Sequence, residues 1–379
     1  MKISILGAGN AGVFTALYNS MSNKRTQFEL DIELIHDPNT PAEEVGQATL
    51  LDPPALLWQS MGFNWYNNPI HATFKSGILY EGFGKVNDKV FHDFMPSTMA
   101  MHYCPHEMQS YILNSGLFKV TEKSINNYDD VDGDLVFDCR GKPDDLSEYD
   151  ELINPTNACI LAKPNWDLSN QHWSRHVATP DGWTFVIPTA ESSPSHKVCV
   201  GYCYNSDITS KEDAEKNMLE MFDVEITKHV NYKNYVAKNP VIDDRVILNG
   251  NRLFFLEPME SSATQTYIEV VRYIDRFGLE EYSNVVKEYI KHTQNFILWH
   301  YRYGSKYDTP FWDHAKSLAK FDDYEFDNFV TLTKRSKYND IIFNLQKDPN
   351  PIYGQWTEYA FKVWYDGMTR ELVDGKSRR

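Results

Sequence analysis

The chain has 379 residues, 42% of them hydrophobic and 14% aromatic, enough for two domains or one large interleaved one and too apolar for a disordered chain. Against 37 lysines and arginines stand 53 aspartates and glutamates, a net charge of −16. That balance repels a phosphate backbone or an anionic lipid surface over most of the molecule, so neither nucleic acid nor membrane is expected as a partner.

The five cysteines, Cys104, Cys139, Cys159, Cys199 and Cys203, form no CxxC pair and no zinc-like spacing with histidine. Their odd number suits free, buried thiols in a reducing compartment. The first apolar run, "ISILGAGNAGV", is broken by glycines and does not read as a signal peptide. No stretch approaches the roughly 20 apolar residues that a membrane span needs. The basic "GKSRR" at the C-terminus reads as a solvated tail. A soluble, cytoplasmic protein is expected.

In chain order, "KISIL" reads as a short buried strand, "GAGNAG" as a turn, "VFTALYNSMSN" as a helix and "FELDIELIHD" as a second strand, a βαβ opening. "DLVFDC" is a third apolar strand ending in the turn residues "RGKPDD". From about residue 158 to 204 the pattern turns strand-like in "ACILAKP", "HWSRHVAT", "GWTFVIPT" and "HKVCVGYCY", which predicts an inserted antiparallel sheet. Helices return with "SKEDAEKNMLEMF" and then dominate in "TYIEVVRYIDRF" and "YSNVVKEYIKHTQNFILWHYRYG". The fold class is mixed α/β. Residues 1–300 are expected to form a cofactor-binding core with an interleaved sheet at about 150–240, and residues 301–379 a helical C-terminal subdomain.

Gly7, Gly9 and Gly12 complete a GxGxxG between a strand and a helix, the context that gives the motif its meaning. The first glycine allows the tight turn, the second lets backbone approach a pyrophosphate, and the third lets helix pack on strand. The N–H groups of the following Asn10 and Ala11 then face the anion. An acidic residue closing the second strand should hold the ribose; Glu33 and Asp37 are the candidates, with His36 between them. "DLVFDCRG", with Asp138 and Arg140, resembles the second flavin-contacting segment of FAD-dependent monooxygenases and favours FAD over NAD. As a plain pattern it is also a buried strand with a glycine turn.

Lys75 in "ATFKSGI" is a lone cation in an apolar segment, which either snorkels to the surface or is buried for a purpose. "EPMES" reads as a helix N-terminal cap that could double as an anion site. "GWTFVIPT" reads as a buried strand ended by a proline.

Taken together, "EEVGQATLL", "WTFVIP", "GYCYNSDITSKEDA", "FFLEPMESSA" and "FILWHYRYGSKYDTPFW", in this order after the glycine motif, resemble the flavin-dependent halogenases, the tryptophan-halogenase-like family. The resemblance implies a fold of the para-hydroxybenzoate-hydroxylase type. It implies that FAD, arriving reduced as FADH2 from a separate flavin reductase, and oxygen convert a halide (chloride, bromide or iodide) to hypohalous acid, which reaches a small aromatic substrate. Lys75 would hold the hypohalous acid. Glu260 would orient it, stabilise the cationic ring and take its proton, with Glu257 in a structural or flavin-side role. Ser262 and Ala263, where the family has Thr–Gly, would bind halide, with glycine's backbone freedom lost at Ala263. Trp183, Phe185, Ile187 and Pro188 would wall the flavin from the substrate, Phe185 standing where the family has a second Trp. Gln47, Ala48 and Thr49, matching V-G-E-A-T with Gln for Glu, and Gly250 would join the cofactor contacts.

The family's C-terminal region is longer, and only "YGQWTEY" echoes it here, so a more open site is expected, with Trp299, Tyr301, Tyr303 and Phe311 as stacking surfaces or helix packing. An FAD-dependent aromatic hydroxylase and a non-catalytic flavin-binding protein are the rival readings; an NAD dehydrogenase leaves everything after residue 150 unexplained. A homo-oligomer is compatible with all of them.

Overall fold

In the computed structural model, described over residues 1–25, 29–43, 45–94, 98–190, 193, 198–348 and 353–371, the βαβ opening is present as expected. The "GKSRR" stretch and the first two residues of "HKVCVGYCY" lie outside the described residues. Among the described residues the strands form four sheets, of six, seven, three and three strands.

The six-stranded sheet is built on Lys2–Leu6, which lies between Asp31–His36 and Leu135–Asp138 in parallel register. Val246–Leu248 and Lys119–Glu122 extend it in parallel on either side, and Val241–Ile242 closes one edge antiparallel. A parallel sheet is covered on both faces, which is why Ile3, Ile5, Leu6, Val136 and Phe137 are all buried. The helix Asn10–Arg25 returns the chain from the first strand to the second. The chain goes from Lys2–Leu6 to Asp31–His36 on one side and from the adjacent Leu135–Asp138 on to Val246–Leu248 on the other. The crevice between Lys2–Leu6 and Leu135–Asp138 at their C-terminal ends is therefore a topological switch point.

The seven-stranded sheet runs Val224–Asn231, Ala158–Pro164, Val200–Tyr204, Gly182–Val186, Ser174–Thr179, Gly77–Glu81, Lys89–Asp93. It therefore extends beyond the interval expected at about 150–240. Gly77–Glu81 pairs in parallel with Ser174–Thr179 and covers what would otherwise be an open edge. One face carries Trp183, Phe185, Cys203 and Cys159 into the main core. The other carries Ile160, Val186 and Tyr202, covered by Ala214 and Met218 of the helix Lys211–Met221, which Ser210 caps through the Asp213 N–H.

The two late helical patterns form one 39-residue helix, Ala263–Tyr301, interrupted where Gly278 takes φ 69°. Its last nine residues, Thr293–Tyr301, are all buried, with the polar Thr293, Asn295 and His300 hydrogen-bonded. Among the described residues four further helices follow: Pro310–Leu318, Tyr324–Arg335, Tyr338–Lys347 and Glu358–Thr369. Their Trp312, Phe326, Phe361 and Trp364 share one continuous core with Ile3 and Trp183, so no break in packing marks residue 300. Among the described residues no helix is long and apolar enough to cross a membrane.

Candidate active site

The glycine turn is shaped by its neighbours. Gly7 has φ 95°, and a Cβ there would stand 2.8 Å from the Cys139 carbonyl oxygen. A Cβ on Gly12 would stand 1.9 Å from the Gly7 carbonyl oxygen. At Gly9 an added Cβ meets nothing within 4 Å, so this stretch of backbone is open to approach. Asn10 and Ala11 begin a helix with no acidic residue in its first turn, leaving its positive end unopposed. Asn10 donates to the Gln47 side chain at 2.8 Å, and Gln109 donates to the Ala8 carbonyl at 2.8 Å, pinning the turn from two sides.

His36, Asp138 and Gly250 line up along the same edge, at the ends of the parallel strands. Gly250 has φ 65° and packs so closely on Ala11 that a Cβ would lie 2.5 Å from the alanine's own. Buried Asp138 accepts from Arg140 Nε at 2.9 Å and Nη2 at 2.7 Å, from Arg252 at 3.1 Å and from the Tyr128 hydroxyl at 2.6 Å. Burial alone would raise its carboxyl, but the bonds and charges from Arg140, Tyr128 and Arg252 hold it below the usual range. Of the acidic candidates, Glu33 is committed to Lys119, Lys2 and Thr121. Asp37 stands at the edge, its oxygens accepting from the Asn39 N–H at 2.8 Å and from Ser124 at 2.5 Å. Open backbone at Gly9, a bare helix start and an edge of strand ends together fit a dinucleotide.

Gln47–Thr49 leads from this cradle to Lys75. Ala48 is buried in a short strand, and the Thr49 carbonyl accepts from Lys75 Nζ at 3.0 Å. Lys75 is fully buried, in a short strand, Thr73–Lys75. Nζ also donates to Ser261 Oγ at 2.9 Å and lies 5.4 Å from the centre of the Phe94 ring. Burial pushes the Lys75 ammonium down to about 7, against the opposing charge of Glu260.

Glu260, next to Ser261, is also fully buried. Its Oε1 accepts from the Tyr80 hydroxyl and lies 3.0 Å from His92 Nδ1 and 2.8 Å from His300 Nε2. Its Oε2 accepts from Trp356 Nε1 at 3.3 Å. Burial would raise this carboxyl, but the charge and bonds of His92 and the bond of His300 carry it well below the usual range. His92 is raised in turn, because Glu260 outweighs the desolvation of its ring. His102 and His176, buried close by, are pushed down by that burial, His176 to about 3.

Backbone strain falls here, although not at the expected residue. Glu260 and Ser261 have φ 67° and 56°, while Ala263 simply begins the long helix and has no positive φ. Two consecutive non-glycine residues in the left-handed region are held only where the surroundings determine them. The halide candidates Ser262 and Ala263 form the start of that helix, and the neighbouring Thr264 Oγ1 is buried with no hydrogen-bond partner among the described residues.

The proposed wall stands beside these groups. Trp183 is fully buried, 4.7 Å from the His176 ring, and its indole N–H points to Glu257 at 3.5 Å. Glu257 also accepts from Thr156 and, at 2.6 Å, from Tyr301. Burial raises its carboxyl to about 7, the bonds from Thr156, Tyr301 and Trp183 opposing. Phe185 packs against Gly201, where a Cβ would lie 2.1 Å from the ring. Ile187 is half-buried, and the Pro188 carbonyl accepts from Thr73 at 2.5 Å. The end of the wall strand is thereby tied two residues from Lys75.

A sequence profile described as tryptophan halogenase matches residues 2–116 and 118–365. The chain belongs to the tryptophan halogenase family. Among curated relatives it is 21% identical over 253 residues to tryptophan 6-halogenase ThaL of Streptomyces albogriseolus, covering 61% of this chain and 46% of that one. It is 22% identical over 216 residues to tryptophan 7-halogenase RebH of Lentzea aerocolonigenes, covering 50% and 39%. The chain thus spans less than half the length of these relatives. Among solved structures, the tryptophan halogenase of Shewanella frigidimarina superposes with a TM-score of 0.76 at 16% identity, over 98% of this chain and 89% of that one. BrvH, a flavin-dependent halogenase from Brevundimonas, superposes at 0.74 and 16%, over 97% and 90%. At such identity these structures show a shared fold.

Within this tryptophan halogenase fold, four site residues have no role that the sequence assigns: Tyr80, His92, His300 and Trp356. His300 lies in "FILWHYRYGSKYDTPFW" and Trp356 in "YGQWTEY", and Trp356 brings the C-terminal segment onto Glu260. Both Lys75 and Glu260 are fully buried among the described residues. Trp299, Tyr301 and Phe311 are buried in the core and offer no stacking surface; Tyr303 alone of the four is half-buried.

Proposed function

We propose that this family member halogenates a small aromatic molecule, indole- or phenol-like, with hypohalous acid made from a halide. Bound FAD, delivered reduced by a separate flavin reductase, supplies with oxygen the two-electron oxidant for the halide. Gly7, Gly9, Asn10, Ala11 and Gly12 would hold its diphosphate, with His36, Asp37, Gln47 and Gly250 around it. Arg140 would act by fixing Asp138 at the strand ends, and Thr49 by holding Lys75. The N–H groups at Ser262 and Ala263 would take the halide. In this reading residues 1–300 carry the cofactor core and the helices after Tyr301 close the substrate side.

The observation that carries the proposal is a buried lysine and a buried carboxylate brought together through Ser261. Lys75 spends two hydrogens on the Thr49 carbonyl and Ser261 Oγ. Its third site, a hydrogen when charged and a lone pair when neutral, is left for hypohalous acid, and at about 7 both states are populated near neutrality. Glu260 has partners on both oxygens and is held ionised, so it acts as a fixed negative charge that stabilises the cationic ring. Taking the ring proton would require displacing one of those donors, so that role falls to another group or to water. The Trp183–Pro188 strand keeps the organic substrate from the flavin side.

The test is mass spectrometry of an aromatic panel after reaction with FAD, a flavin reductase, NADH, oxygen and chloride, bromide or iodide in turn, with Lys75→Ala alongside. Halide-dependent mass gains lost in the variant support the proposal. A gain of one oxygen in any salt replaces it with aromatic hydroxylation.

A further inference from the structure

We propose that Cys159 and Cys203 form a redox pair that closes to a disulfide when hypohalous acid escapes the Lys75 site; the source of the oxidant rests on the function proposed above. The pairing itself rests on sheet register. Cys159 and Cys203 are direct partners on the antiparallel strands Ala158–Pro164 and Val200–Tyr204. On its other side Cys203 is the direct partner of Trp183.

Hydrogen bonding on that second side fixes the class of the cysteine pair. The Ile187 N–H donates to the Cys199 carbonyl at 2.9 Å, so residues 187 and 199 face each other through their backbone groups. The alternation along an antiparallel ladder then puts Trp183 and Cys203 in the same hydrogen-bonded class. Cys203 therefore turns its backbone towards Trp183, and Cys159–Cys203 is a non-hydrogen-bonded pair. Such pairs hold their Cα atoms about 4.5 Å apart with side chains on one face, within the roughly 4.4–6.8 Å that a disulfide spans. All five cysteines are buried and none is in a disulfide. Cys199 stands opposite Ile187, and Cys104 and Cys139 lie just beyond their strands, so register matches only this pair.

Position gives the pair its exposure to oxidant. Trp183, Cys203 and Cys159 form a row across three adjacent strands on the core face of the sheet. Trp183 contacts the His176 ring at 4.7 Å, His176 contacts Tyr80 at 5.1 Å, and the Tyr80 hydroxyl bonds to Glu260. Oxidant that passes the Trp183 wall meets these sulfurs next. Burial also keeps the Cys203 thiol protonated, which makes it slow towards dilute peroxide in bulk solvent and leaves it for a small, strong electrophile.

The step balances. The Cys203 sulfur bonds to the halogen of hypohalous acid, the oxygen–halogen bond breaks, and hydroxide leaves with the thiol proton as water. The Cys159 sulfur then displaces halide, its own proton leaving with it. Two thiols and one hypohalous acid give one disulfide, water and hydrogen halide; the sulfurs lose two electrons and the halogen gains them.

The 379-residue chain at rest, without FAD, is treated with one equivalent of hypobromous acid, and separately with hydrogen peroxide, then denatured for intact mass and thiol titration. Hypobromous acid is expected to remove about 2 Da and two of the five thiols, to yield a Cys159–Cys203 linked peptide, and to be reversed by dithiothreitol. Peroxide should be far slower, and neither Cys159→Ala nor Cys203→Ala should lose the 2 Da. Oxygen additions spread over all five cysteines, or a link formed between other residues, overturn the pairing. A second arm runs reduced FAD, oxygen, bromide and catalase without aromatic substrate. A bromide-dependent link supports escape of the oxidant, and its absence in an enzyme that halogenates the panel overturns that escape. A link in the resting arm with no halogenated product anywhere supports the pair and removes the function reading alone.

Discussion

Trp356 donates its indole N–H to Glu260 Oε2 over 3.3 Å, joining residues 96 positions apart in the chain. The same ring stacks on Phe296 at 4.1 Å and 19°, so packing and hydrogen bonding can be separated by substitution. Trp356→Phe should keep the stack and the fold while freeing one oxygen of Glu260. A hydrogen bond to a charged group contributes about 1.5–3 kcal/mol, so kcat for halogenation is expected to fall by roughly ten- to a hundredfold. An unchanged kcat in a well-folded variant would show that the clamp on Glu260 does not need the indole.

The glycine turn predicts two different phenotypes. Gly12→Ala drives a Cβ to 1.9 Å from the Gly7 carbonyl oxygen, backbone that cannot move aside cheaply. It should cost about 2 kcal/mol or more in stability. Gly9→Ala meets open space and does not sit at positive φ, so stability should hold within about 0.5 kcal/mol. FAD affinity should nonetheless drop by roughly tenfold, because the added methyl occupies the path of the diphosphate. Thermal melts and flavin titrations of the two variants read both effects. Equal FAD affinity in Gly9→Ala and the parent would move the diphosphate elsewhere.

The glycine turn is legible in the amino-acid sequence because its information is local. A strand, three spaced glycines and a helix occupy consecutive positions, and Lys75 and Glu260 likewise sit in short recognisable stretches. The donors around Glu260 are different. Tyr80, His92, His300 and Trp356 come from two strands, the long helix and a turn, and only the fold brings them together. His300 carries one weak signal, a titratable ring in the apolar "FILWHYRYG". The full width of the seven-stranded sheet is hidden for a similar reason. Gly77–Glu81 pairs in parallel with Ser174–Thr179 from 96 positions upstream (Ile78 opposite Ser174), a separation that leaves no turn signature, and it carries Lys89–Asp93 in with it as its antiparallel neighbour.

Lys75 predicts a pH signature that is independent of activity. Its ordinary value of 10.5 falls to about 7 in the fold. The folded state therefore binds fewer protons than the unfolded chain between those values. The contribution is fully present above 10.5 and is lost as pH falls through 7. Lys75→Met removes the titration, so its stability gain over the parent should be largest below pH 7, on the order of 5 kcal/mol more than at pH 10.5. Urea unfolding from pH 6 to 9 should show that gain shrinking as pH rises. A constant difference would mean that the ammonium is solvated rather than buried. Lys75→Ala should in addition abolish halogenation while leaving FAD binding intact.

Glu257 titrates with the opposite sign. Burial lifts its carboxyl from 4.5 to about 7, despite the hydrogen bonds from Thr156, Tyr301 and Trp183. A raised folded value means that its contribution is fully present below 4.5 and is lost as pH rises through 7. The parent protein should lose roughly 3 kcal/mol of stability from this residue across that interval, and Glu257→Gln should lose none of it. The amide keeps the size of the side chain and one acceptor, and the hydroxyls of Thr156 and Tyr301 can rotate to accept from its nitrogen. At pH 4.5 the variant should thus be equal to or slightly less stable than the parent, and above pH 7 it should overtake it. Urea unfolding at pH 5, 6, 7 and 8 measures the crossing, while tryptophan fluorescence compared with and without Trp183→Phe reports whether the ring beside the carboxyl has moved. Parallel curves with no crossing would show that Glu257 is already ionised at pH 5, and that its three donors outweigh the cost of burying the charge behind the wall.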